Sequence, residues 1–112
     1  MTNIAHLVGR IARGPRSSTT AAGTLVVELT LVTGQPVRRR SRNIEIGAPD
    51  QEEHHEVVCF GDVAEKVMAT ARAGLFATVN GRIHYVHEVN GSLMSAEIVA
   101  ADVEVLDLQH GR

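Results

Sequence analysis

Apolar positions along this chain alternate, run together and then change period, and each change predicts an element. Ile4 to Ile11 is a short apolar run carrying one histidine and one arginine, the pattern of a strand. Gly14-Pro15 then breaks regular structure, and SSTTAAG supplies a turn-rich connection. From Thr24 to Val32 the stretch TLVVELTLV is almost unbroken in β-branched residues and leucine, which predicts a strand largely buried on both faces. Gly34-Gln35-Pro36 closes it. Val37 to Gln51 is polar, arginine-rich and contains Pro49, so a mobile loop or a long, partly ordered hairpin excursion is expected there, and Glu53 to Phe60 reads as the third strand.

The period then switches. Asp62-Val63-Ala64-Glu65 has the form of a helix start, with Asp62 placed to accept from free first-turn N–H groups and Glu65 completing a capping-box-like pair. Val63, Ala64, Val67, Met68 and Ala71 repeat at helical spacing as one apolar stripe, core rather than cofactor site. Gly74 stands where a left-handed C-terminal cap belongs, which gives a helix of about 11 residues. Leu75 to Tyr85 and Leu93 to Leu106 return to strand character. Asn90-Gly91, between VHEV and SLMSAEIVA, predicts a hairpin turn. Asn80-Gly81 lies inside TVNGRIHYV, where a turn would leave very short strands, so Gly81 predicts a bulge or bend within a strand. The order β, β, β, α, β, β predicts an all-β chain with one helix. Its expected form is a five-stranded Greek-key barrel of the OB-fold type, the helix between strands three and four.

Length adds that 112 residues make a single domain. No apolar run approaches the roughly 18 residues that span a bilayer, and MTNIAHLVGRIARG lacks the basic start and long apolar core of a secretory signal. Cys59 is the one cysteine and has no internal disulfide partner, which fits a reducing compartment; a cytoplasmic protein is expected. A net charge of −2 excludes a globally basic nucleic-acid binder. Its distribution changes that picture. Arg10, Arg13 and Arg16 fall in one early segment, and Arg38, Arg39, Arg40 and Arg42 form a dense run. Such a run is either a solvated loop or one that touches a polyanion.

HHEVVCF, residues 54 to 60, poses the chemical question. Adjacent strand residues point to opposite faces, so His54 and His55 cannot both ligate one ion. His84 and His87, three apart on a strand, face opposite ways as well. Cys59 lies within the apolar run and reads as core. With no catalytic constellation, phosphate-binding glycine loop or zinc pattern, no enzyme, metal or cofactor is expected.

Several motifs together carry a resemblance. LVGRIARGP is followed by TAAG at Thr20 to Gly23 and then TLVVELTLVT; HHEVVCFGDVAE ends in Phe60, Gly61 and the Ala64-Glu65 pair. ARAGLFATVNGRI places Gly74, Gly81 and Arg82 in register, and AEIVAADVEVLD forms the last strand. In this order and spacing, over residues 3 to 107, they resemble the bacterial single-stranded DNA-binding protein family. The resemblance implies an OB-fold domain over residues 1–108, with 109–112 a remnant lacking the family's acidic tail. It implies single-stranded DNA as partner, bound independently of sequence by arginine–phosphate contacts and base stacking, in replication, recombination or repair. It also implies a homo-oligomer, tetramer or dimer, with the first strand contributing to a dimer interface, and contacts to replication or repair proteins.

The chain departs from the family in its aromatics, with no Trp and only one Tyr and two Phe. His54 stands where relatives carry a stacking aromatic, and His87 lies near another such position. Phe60 keeps its aromatic, Tyr85 offers a second platform, and Phe76 reads as core. Arginines are therefore expected to carry more of the affinity. The implied binding residues are Arg10, Arg13, Arg38, Arg39, Arg40, Arg42, His54, Phe60, Arg82, His84, Tyr85 and His87. Two alternatives accompany this set. One is a resemblance to the primosomal replication protein N family, short, tailless and aromatic-poor replication-restart accessories. The other is an OB-fold interaction module with weakened DNA binding.

Overall fold

A computed structural model describes residues 1–36 and 50–106. The run Arg38, Arg39, Arg40 and Arg42 and the C-terminal remnant lie outside these residues. The elements follow the expected order: β1 (Ala5–Thr19), β2 (Leu25–Pro36), β3 (Asp50–Phe60), α1 (Gly61–Thr70), β4 (Phe76–His87) and β5 (Leu93–Leu106). The strands close into a barrel in the order β1-β2-β3-β5-β4, as an OB-fold requires. All neighbours are antiparallel except β3 and β5, which run parallel through Val57↔Ile98 and Val58↔Val99.

Period-two alternation decides which side chains fill the barrel. Val27, Leu29 and Leu31 of β2 and Val57 and Cys59 of β3 point inward and are buried. They meet Ile11, Val79, Ile98 and Val103 from the other strands and Ala64 and Val67 from α1. The buried Cys59 has its thiol pushed up to about 11, because burial penalises the thiolate. β2 is buried on both faces as expected, since the outward Thr30 and Val32 are also covered.

Several boundaries differ from the sequence expectation. β1 does not stop at Gly14-Pro15. Its first half pairs with β4 and its second half with β2, and register shifts at Ile11/Arg13 and Arg13/Arg16 accommodate the break. Proline, without an N–H, is tolerated at such a bulge because the ladder is already interrupted. Gly34-Gln35-Pro36 continues β2, pairing with Glu52, Gln51 and Asp50, so β3 also starts earlier. The helix begins on Gly61 with Phe60 as its N-cap and no side-chain cap, so Asp62 and Glu65 form no capping box. Asp62 instead lies in the first turn, where its charge favours the helix dipole.

Gly74 has a positive φ of 101° but lies beyond the helix, whose C-cap Ala71 is extended. The Gly74 N–H donates to the Ile11 carbonyl at 2.8 Å, and the Ile11 N–H donates to Leu75 at 2.8 Å, tying the α1–β4 connection to β1. Ala64, Val67 and Ala71 of the helix stripe are buried, whereas Met68 is exposed. Lys66 donates to Glu104 at 2.8 Å and Asp102 at 3.5 Å, linking α1 to β5. The Glu104 hydrogen bond is the main reason its pKa is raised.

Both glycine–asparagine expectations are met. The Gly91 N–H donates to the Glu88 carbonyl, Ser92 N–H to Asn90 Oδ1, and Gly91 has φ 93°, closing the β4–β5 hairpin. At Gly81 the β4–β5 register shifts, and a Cβ there would lie 2.1 Å from the Val99 carbonyl oxygen. Only glycine lets the two strands approach so closely.

Candidate nucleic-acid interface

Side chains excluded from the core form the outer face of β1, β2 and β3. Cross-strand register arranges them in rows. Arg10 pairs with Val32 and Val32 with His54; Arg13 pairs with Thr30 and Thr30 with Glu56. Arg16 pairs with Glu28, Glu28 with Val58, Val58 with Val99, and Val99 with Arg82, a row crossing all five strands. The last row joins Ser18, Val26 and Phe60.

His54 and Phe60 therefore share one face of β3, six residues or roughly 20 Å apart along the strand. Phe60 is 44% exposed, available to a planar partner. His55 points the other way, half-buried, with its Nε2 2.9 Å from Thr33 Oγ1. Among the described residues no three His, Cys, Asp or Glu side chains are placed to hold a metal ion.

On β4 the set divides. His84 lies on the same face as Arg82 by alternation, its Nδ1 3.3 Å from Glu97 Oε2. Tyr85 and His87 take the opposite face, both exposed, near the hairpin tip with Leu93 and Met94. Phe76, expected in the core, is 41% exposed, because its neighbours Ala77 and Val79 take the inward positions of β4. The fold thus brings Arg10, Arg13, His54 and Phe60 onto one surface and sets Tyr85 and His87 on a separate one.

Four residues of the β1–β2–β3 face were not singled out from the sequence: Glu28, Glu52, Glu56 and Thr30. Arg16 Nη2 lies 2.9 Å from Glu28 Oε1, and Arg10 Nη2 3.6 Å from Glu52 Oε2. The Thr30 hydroxyl donates to the Glu56 carboxylate, at 3.1 Å to Oε2. The even-numbered positions of β2, Val26, Glu28, Thr30 and Val32, carried a legible signal, since alternation alone puts them on one face.

A model of the single-strand binding protein family matches residues 2–106. The chain belongs to that family. No curated protein matches it. Among solved structures, the family fold recurs in the wild-type single-stranded DNA-binding protein of Thermus aquaticus, at TM-score 0.77 and 20% identity over 99% of this chain. This single-strand binding family member spans about half of that protein, 52%. It also matches the Plasmodium falciparum protein solved in complex with single-stranded DNA, at TM-score 0.78 and 23% identity, covering 96% of this chain and 97% of that one. No helix among the described residues of this family member is long and apolar enough to cross a membrane.

Proposed function

We propose that this chain binds single-stranded DNA independently of sequence, in replication, recombination or repair, and has no catalytic role. The observation that carries the reading is the outer face of β1–β2–β3 in a member of the single-strand binding family. There, guanidinium groups and an exposed Phe60 share one surface of a closed barrel. Phe60 offers a stacking platform, and His54 a smaller one, for bases of any identity. Arg10, with Arg38, Arg39, Arg40 and Arg42 from the β2–β3 connection, meets phosphates, and Arg13 reaches the bound strand from the same surface. Arg82 and His84 continue the track on β4, and Tyr85 and His87 offer a platform on the hairpin.

The binding unit in this reading is residues 1–108, acting in the cytoplasm as a homo-oligomer. Exposed Ile4, Val8 and Phe76 supply apolar surface for association, Val8 and Phe76 on the outer side of the β1–β4 pair. Titration of a fluorescent mixed-sequence oligonucleotide at several salt concentrations, with light scattering on the same sample, tests it. Submicromolar binding whose affinity falls steeply with salt is expected. Absence of binding at low salt would overturn it and leave an OB-fold protein-interaction module.

A further inference from the structure

On the outer face of β1–β2 lies a half-open cleft of about 60 Å³, lined by Arg13, Arg16, Glu28, Thr30 and Glu56 beside Gly14. It lies at the β1 bulge, where the register shifts between Arg13 and Arg16 and Gly14 packs so tightly on β2 that a Cβ there would meet the Glu28 carbonyl oxygen at 2.8 Å. The polar groups around it are ordered. Arg16 is held by Glu28 at 2.9 Å, and Thr30, only 5% exposed, donates to Glu56. Arg13 is exposed and forms no ion pair among the described residues.

Two guanidiniums and two carboxylates leave this cleft without net charge. A phosphate gains nothing from such a site, because each carboxylate repels it at the range where each guanidinium attracts it. A neutral group that presents donors and acceptors side by side gains from both. A nucleobase edge is such a group. Carboxylates accept and never donate, so they select edges that carry amino groups, as Glu and Asp do with the N4 amino group of cytosine. Cytosine sets that donor beside the acceptors N3 and O2, which Arg13 can meet. Thymine sets its single N–H between two carbonyl oxygens, and these would face the carboxylates.

We propose that Glu28 and Glu56, with Arg13, form a base-edge subsite that makes this chain prefer cytosine over thymine in single-stranded DNA. The proposal deepens the single-strand-binding reading and rests on it. The subsite grades affinity by base composition over binding that stacking and distant phosphate contacts make general. Bases then face β2–β3, and the phosphates pass outward to arginines beyond the cleft.

Oligo(dC) and oligo(dT) of equal length test this, since they share backbone and charge and differ in the base alone. At pH 7.5, where oligo(dC) stays single-stranded, the wild-type protein is expected to bind oligo(dC) about fivefold or more tighter than oligo(dT). Glu56→Gln and the double variant E28Q/E56Q should move that ratio toward one, because an amide can donate to the thymine carbonyls. Thermal denaturation checks that the variants remain folded. Equal or tighter binding of oligo(dT) by wild-type, or a ratio unchanged in folded variants, would overturn the subsite while leaving single-strand binding intact. Failure to bind either strand would overturn the underlying reading and the subsite with it.

Discussion

Arg10 on β1 reaches over β2 to Glu52 on β3, Nη2 to Oε2 at 3.6 Å. In register, Arg10 pairs with Val32 on β2, two residues before Gly34, the β2 partner of Glu52. The guanidinium best placed beside His54 is therefore already engaged by a carboxylate, and a phosphate must displace that partner to reach it. Glu52→Gln removes the competitor. Affinity for single-stranded DNA at low salt is expected to rise about two- to fivefold. The change in stability stays within about 1 kcal/mol, since exposed ion pairs contribute little. Parallel oligonucleotide titration and urea denaturation of the two proteins check both halves.

Phe60 stands outside the barrel with nearly half its surface free, so its removal tests binding more than folding. Phe60→Ala should weaken single-stranded DNA binding by about 1–3 kcal/mol, the range of one stacked base. The slope of log K against log salt should not change, because no phosphate contact is lost. A large drop in urea midpoint would instead make Phe60 a packing residue.

Replacing Arg38, Arg39 and Arg40 with alanine tests the β2–β3 connection by the opposite signature. Three lost phosphate contacts should flatten the salt slope by about two, at roughly 0.7 per contact for single strands. Stability should hold. Normal binding by the folded triple variant would remove this segment from the interface.

Gly81→Ala should cost about 1–3 kcal/mol or more of stability, because its Cβ would meet the Val99 carbonyl oxygen at 2.1 Å and backbone must move. Gly34→Ala is the control. A Cβ at Gly34 meets nothing within 4 Å, so a change below about 0.5 kcal/mol is expected. Urea unfolding monitored by circular dichroism separates the two.

Cys59 supplies a pH test. Burial raises its thiol from an ordinary 9.0 to about 11, so the fold favours the neutral form. The unfolded chain releases this proton first as pH rises. The stabilisation is therefore complete below pH 9.0 and lost as pH climbs through about 11. Denaturation midpoints should fall across that window, and less so in Cys59→Ala. At pH 8 a thiol reagent should label the protein only when urea unfolds it.

Much of this molecule was legible in the chain because the signals are local. The Asn90-Gly91 turn follows from the positive φ open to Gly91, and the irregularity at Gly81 from its missing side chain. The opposition of His54 to His55 follows from strand pleating, which holds wherever the strand is placed. The helix was legible from its stripe, yet its start was not. Phe60 occupies the N-cap that Asp62 was expected to hold, because β3 runs directly into α1 and sets the position of the first turn.

HHEVVCFGDVAE by itself determined that a strand would lead into a helix and that one histidine would share a face with Phe60 while the other faced away. Only the tertiary structure decided what surrounds that face. Arg10, Arg16, Glu28 and Glu52 come from three strands, and the β1 bulges set their register by carrying Gly14-Pro15 through the sheet instead of ending it. Alternation is a property of each strand alone. Which arginine meets which carboxylate depends on register between strands, and register is settled by closure of the barrel around its core.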